Sequence, residues 1–146
     1  MDVSPRRPVI ARRFLPTEAD EQRVLAAWLD AMGILWAHPP NSGYRAGLNR
    51  DAQVASIAGA RLKRLGVKAG LPDILIFQVP PAEDYASVRG VAIELKRREG
   101  GAVSDEHKAW LKDLRDVGWL TRVCLGAADA IGWLQILGFG TAPLRR

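Results

Sequence analysis

A single cysteine, Cys124, in 146 residues excludes an internal disulfide framework and any zinc site built from several thiolates. In the strand-like stretch TRVCLG it reads as a small core residue. Long apolar runs are also lacking. No stretch approaches the roughly 18 residues that cross a bilayer, so no membrane contact is expected. The basic N-terminus is not followed by the apolar segment of a secretory signal, which points to a cytoplasmic protein. Internal repeats and low-complexity tracts are missing too, and the length suits one domain with a real core.

What is abundant is positive charge. There are 21 Lys and Arg against 16 Asp and Glu, a net charge of +5 and a pI near 9.9. Such an excess suggests a polyanionic partner only where it is concentrated. Residues 1–16 carry Arg6, Arg7, Arg12 and Arg13 against Asp2, and residues 44–68 carry Arg45, Arg50, Arg61, Lys63, Arg64 and Lys68 against Asp51. One such run reads equally well as a solvated surface. Two runs flanking acidic residues favour a nucleic acid.

The periodicity predicts an order α, β, α, β, β, α, β, α. The first 16 residues, with Pro5, Pro8 and Pro16, read as a flexible basic arm. Thr17 then caps a helix whose first turn holds Glu18, Asp20 and Glu21, where the dipole favours acids, with Val24, Leu25, Trp28, Leu29 and Met32 as its apolar stripe. ILWAH is a short strand, and NSGYRAGLNR is a loop. A helix over about Asp51 to Leu65 turns Val54, Ile57, Ala58, Leu62 and Leu65 inward. Strands over 72–79 and 88–97 form an antiparallel pair. Ser104 caps a further helix ending at Gly118, WLTRVCLG is the last strand, and 127–137 a final apolar helix. The domain is expected over 17–140, with 141–146 as a tail. This is an α/β mixed sheet flanked by helices.

Charges are aimed at that sheet. Asp73 opens the apolar run ILIF in GLPDILIF, and Glu94 and Lys96 interrupt VAIELKRR. Two positions apart on a strand, Glu94 and Lys96 project together while Ile93 and Leu95 turn to the core, and Asp73 joins them if the hairpin pairs in its natural register. Two carboxylates about 4 Å apart repel by roughly 4 kcal/mol at an effective dielectric near 20. A divalent cation relieves this, and oxygen ligands favour Mg²⁺ or Mn²⁺ over zinc. A lysine beside the metal can orient or help deprotonate an attacking water and offset charge on phosphorus.

The order Pro72-Asp73, a spacer, then Glu94-Leu95-Lys96 resembles the PD-(D/E)XK nuclease superfamily, and in particular its VRR-NUC branch, which is similar to Holliday junction resolvases and frequent in phage and prophage proteins. The resemblance spans roughly residues 18–137. It implies a restriction-endonuclease-like fold and a metal-dependent endodeoxyribonuclease acting on DNA in phage or bacterial DNA processing. Glu18 matches the branch's helical metal ligand, with Glu21 one turn on as the competitor, so the implied metal set is Glu18, Asp73 and Glu94. Asn41-Ser42-Gly43-Tyr44-Arg45 matches a family loop, and Arg61 to Asp73 a basic segment. Asn41, Arg45, Arg61, Lys63, Arg64 and Lys68 are therefore the expected DNA contacts. Where the family shows Ser-x-x-Gln, this chain has Ser104-Asp105-Glu106-His107, which leaves His107 balanced between catalytic support and a polar residue at a helix start.

Plainer alternatives exist for each residue. Asp73 could cap a strand, Lys96 could snorkel from a sheet edge, and Glu18 could serve the helix dipole alone. His38 before two prolines reads as a loop residue. Trp28, Trp110 and Trp133 occupy core-like helical positions, whereas Trp36 and Tyr44 are candidates for stacking on an unpaired base. Trp133, Ile136, Leu137 and Phe139 either complete the core or present a homodimer surface. A non-catalytic DNA-binding module of the same fold is the rival function, and an interaction module for an acidic protein a third.

Overall fold

The computed structural model describes residues 15–39 and 59–141. Residues 1–14 of the proposed arm and 142–146 of the tail, together with Asn41, Tyr44, Arg45, Val54, Ile57 and Ala58, lie outside the described residues.

Helix α1 (Glu18–Ala31) starts where the sequence places its cap. Thr17 Oγ1 accepts the Asp20 N–H at 3.2 Å, and Asp20 Oδ2 accepts the Thr17 N–H at 3.0 Å, a reciprocal box that satisfies two orphan donors. Its buried stripe runs Glu21, Leu25, Leu29 at intervals of four. Val24 and Met32, expected in that stripe, lie at its edges and are 56% and 37% exposed.

Strand β1 (Trp36–Ala37) is followed, after the residues not described, by helical residues 59–64. Leu65 lies beyond that helical stretch and is exposed rather than turned inward. Strand β2 (Ile74–Ile76) and strand β3 (Val91–Lys96) form the expected antiparallel pair, joined through a 3₁₀ turn at Glu83–Tyr85. The first two strands are shorter than the sequence suggests. Pro39 follows β1, and Pro72 and Pro80 flank β2; none of these prolines has an N–H to extend a ladder.

Helix α2 (Asp105–Asp116), strand β4 (Leu120–Leu125) and helix α3 (Ala127–Ile136) complete the order. Ser104 caps α2 by accepting the His107 N–H at 3.2 Å. The four strands lie in the order β1-β2-β3-β4, antiparallel up to β3 and parallel between β3 and β4. This is a mixed sheet with helices on both faces.

Strand β3 is buried along its whole length, and its two faces differ. Val91, Ile93 and Leu95 join Leu25 and Leu29 of α1 and Ala127, Ala130 and Leu134 of α3 in one apolar cluster. Ala92, Glu94 and Lys96 face the other way, toward α2, by the two-residue alternation of a strand. Trp28 and Trp133 pack against the cluster, as does Trp36. Trp36, half-buried, also donates its indole N–H to Asp30 Oδ1 at 2.8 Å, which fixes the edge of the ring. Leu137 and Phe139 are buried with the core, which leaves Ile136 as the strongly exposed member of the proposed dimer patch.

Candidate active site

The β2–β3 register pairs Ile74 with Ile93, so one step further along the ladder Asp73 stands opposite Glu94. Asp73 is anchored there. Its Oδ2 accepts the Leu95 N–H at 2.8 Å, and its backbone carbonyl lies 2.6 Å from Nδ1 of His38. His38 is thus a loop residue, as expected, with a structural contact to the site.

The approach to Asp73 requires glycine at position 70. Gly70 has φ +82°, and an added Cβ would lie 2.6 Å from Cβ of Glu106 and 2.8 Å from its carbonyl carbon. This close approach seats the loop against the first turn of α2. Trp110 reinforces it by donating its indole N–H to Ala69 O at 2.9 Å.

Glu94 is fully buried. Lys96 Nζ lies 2.6 Å from Glu94 Oε1, and His107 Nδ1 lies 3.1 Å from the same oxygen. Lys96 and His107 thus converge on Oε1, while Oε2 has no partner among the described residues. Burial pushes the Glu94 carboxyl above the usual carboxylate range; the close Lys96 ammonium pulls it back, the Asp73 charge pushes it up again, and the net shift is upward. For Lys96, burial alone would lower the pKa. The contact with Glu94 and the negative charges of Glu94, Glu18 and Asp73 outweigh it and hold the ammonium charged. A lysine so held suits orientation and charge stabilisation better than proton abstraction.

The sequence left Glu18 and Glu21 in competition, and the structure separates their surroundings. Both Glu21 oxygens are engaged, Oε1 by Arg98 Nε at 2.6 Å and Oε2 by the Ala127 N–H at 2.8 Å. Glu18 is half-buried and acts electrostatically on Lys96. Arg61, Lys63, Arg64 and Lys68, which precede Asp73 in the sequence, are exposed. The clasp of Glu21, Arg98 and Ala127 was not foreseen, because it joins positions 106 residues apart with no local pattern.

Among the described residues no set of three His, Cys, Asp or Glu side chains is arranged as a metal cage. Magnesium does not demand one, since it keeps several waters and takes one or two carboxylates. A buried carboxylate opposite Asp73, with Oε2 unpartnered among the described residues, fits that requirement.

A mixed sheet that buries a lysine between acidic side chains at one end of its central hairpin defines an α/β protein with an acidic, cation-compatible site. The VRR-NUC domain model matches residues 16–128, and the chain belongs to that family, a nuclease-like module of DNA processing. A solved structure described as a VRR_NUC domain protein superposes with a TM-score of 0.61 at 23% identity, over 83% of this chain and 87% of that one, and so shares its fold. No curated protein sequence matches the chain. No helix among the described residues is long and apolar enough to cross a membrane.

Proposed function

We propose that the chain is a Mg²⁺- or Mn²⁺-dependent endonuclease that hydrolyses DNA phosphodiesters, selecting its substrate by DNA structure rather than base sequence. The observation that carries this reading is Glu94, a fully buried carboxylate whose Oε1 is shared by Lys96 and His107 while its Oε2 has no partner among the described residues. Lys96 offsets part of that buried charge, and Oε2 together with the Asp73 carboxylate opposite leaves negative charge for a second cation to share. Asp73 and Glu94 would hold the metal, with Glu18 adding charge from the start of α1. When bound, the metal would activate a water and offset charge on the phosphate.

The protein's own groups have distinct work. Lys96 orients the water and stabilises the developing negative charge. Asp73, tied to the Leu95 N–H, keeps its carboxylate from swinging away. The exposed basic residues Arg61, Lys63, Arg64 and Lys68 meet the DNA backbone.

The test is incubation with junction, flap, splayed and duplex DNA in Mg²⁺, Mn²⁺ or EDTA, beside Glu94→Gln. Metal-dependent cleavage of a branched substrate that disappears in the variant is expected. Binding without cleavage in any metal would favour the non-catalytic module.

A further inference from the structure

The chain leaving β3 builds a second polar feature just beyond Lys96. Arg97, Arg98 and Glu99 enter a turn closed by the Gly100 N–H on Arg97 O at 2.8 Å. With Leu15, Pro16 and Thr17, which lead into α1, they line an open groove.

Arg98 is held from behind. Its Nε donates to Glu21 Oε1 at 2.6 Å, and the other oxygen of this buried carboxylate is fixed by the first N–H of α3. Gly126 makes the room: its φ is +84°, and an added Cβ would come within 2.9 Å of Arg98 Cγ and 3.2 Å of Glu21 Cδ. Three elements therefore fix one edge of a guanidinium whose side chain is still 58% exposed. Among the described residues, the terminal nitrogens of Arg98 make no hydrogen bond or ion pair, and Arg97 is exposed beside them. A planar fork oriented in this way matches two oxygens of a phosphate.

We infer that this groove binds a phosphodiester of the DNA strand entering the site, with Arg98 as an oriented fork and Arg97 as added charge. The inference rests on the proposed DNA function and names a subsite for it. Position supports it. The groove lining starts at Arg97, the residue after Lys96, and includes Thr17, the residue before Glu18, whose charge acts on Lys96; the groove therefore adjoins the acidic cluster. Glu99 and the Glu21 paired with Arg98 offset the two arginines, so the contact depends on the fork's direction more than on net attraction.

The test is equilibrium binding of a short DNA duplex to the full chain in EDTA across a salt series. Arg97→Ala removes an exposed charge. Arg98→Gln removes the charge but leaves an N–H donor for Glu21, and thermal melting verifies that each variant is folded. Each substitution is expected to reduce the slope of log affinity against log salt by about 0.9, and the pair by about 1.8. Arg98→Lys should keep the slope and still weaken binding several-fold, because charge survives and the fork does not. An unchanged slope in the folded double variant overturns the inference. Wild-type protein that does not bind DNA overturns it together with the DNA reading. Without metal no strand is cut, so a chain that binds but never cleaves bears against the nuclease reading alone.

Discussion

Asp73 accepts the backbone N–H of Leu95 through Oδ2 at 2.8 Å, so a carboxylate takes the place of a main-chain carbonyl in the ladder between β2 and β3. The same side chain is asked to do two things: finish the hairpin and supply negative charge beside Glu94.

Two substitutions separate these tasks. Asp73→Asn can still accept the Leu95 N–H and should melt near wild type, whereas Asp73→Ala leaves that donor unpaired at a cost of about 1–3 kcal/mol. Both should lose metal-dependent cleavage. Calorimetry beside a nicking assay checks the pair, and full cleavage by Asp73→Asn would remove Asp73 from the metal set.

Glu94 carries a pH signature. Its carboxyl is raised above the ordinary value of 4.5, first by burial, so the folded chain favours the neutral form. The stability this form contributes is fully present below 4.5 and is lost as pH rises through the shifted value. Glu94→Gln also removes the partner of the buried Lys96, so the signature lies in the pH dependence: as pH rises above 4.5 in EDTA, the variant should lose less melting temperature than wild type, while cleavage is abolished. Mg²⁺ should raise the melting temperature of wild type and leave that of the variant unmoved. A variant whose melting follows pH as wild type does would show that Glu94 does not carry the shift.

His107 touches Glu94 from the first turn of α2, where the family pattern shows glutamine. His107→Gln should retain cleavage within a few-fold, because an amide can still meet the carboxylate. His107→Ala should lose about 10- to 100-fold, the usual penalty for removing a group that supports a metal ligand. Rates at saturating DNA decide between them, and equal rates in the two variants would make His107 a bystander.

Burial, and then the charge of Asp129, pushes the Cys124 thiol up to about 12. The folded protein should resist alkylation at pH 8, and denaturant should release one reactive thiol. Rapid labelling of the native chain, followed by mass spectrometry, would contradict the placement of Cys124 in the core.

The helix starts were legible because their signals are local: Thr17 with Asp20, and Ser104 with the His107 amide, sit within three residues of each other. The antiparallel placement of Asp73 beside Glu94 was legible because alternation and a short connection leave little freedom. The inward face of α1 was read too widely, since an apolar stripe does not say which edge a neighbouring helix covers, and Val24 and Met32 were left outside. The anchoring of the Trp36 ring was not legible for a related reason. Its Asp30 partner depends on how the chain turns at Gly33, which composition does not encode. The Glu21 clasp was illegible because a buried carboxylate in a first helical turn looks like any acid favoured by the dipole until the start of α3 arrives beside it.

That clasp also sets an order of assembly. Asp73 and Glu94 meet across a hairpin whose partners are 21 positions apart, a short loop to close, whereas Glu21 and Ala127 close a loop of 106. The acidic pair can form while the polypeptide is still growing, but the arginine behind Lys96 has its final direction only after the last helix docks. During synthesis, therefore, the two carboxylates would be paired before the flanking cation is locked, and capacity to grip a strand would arrive last.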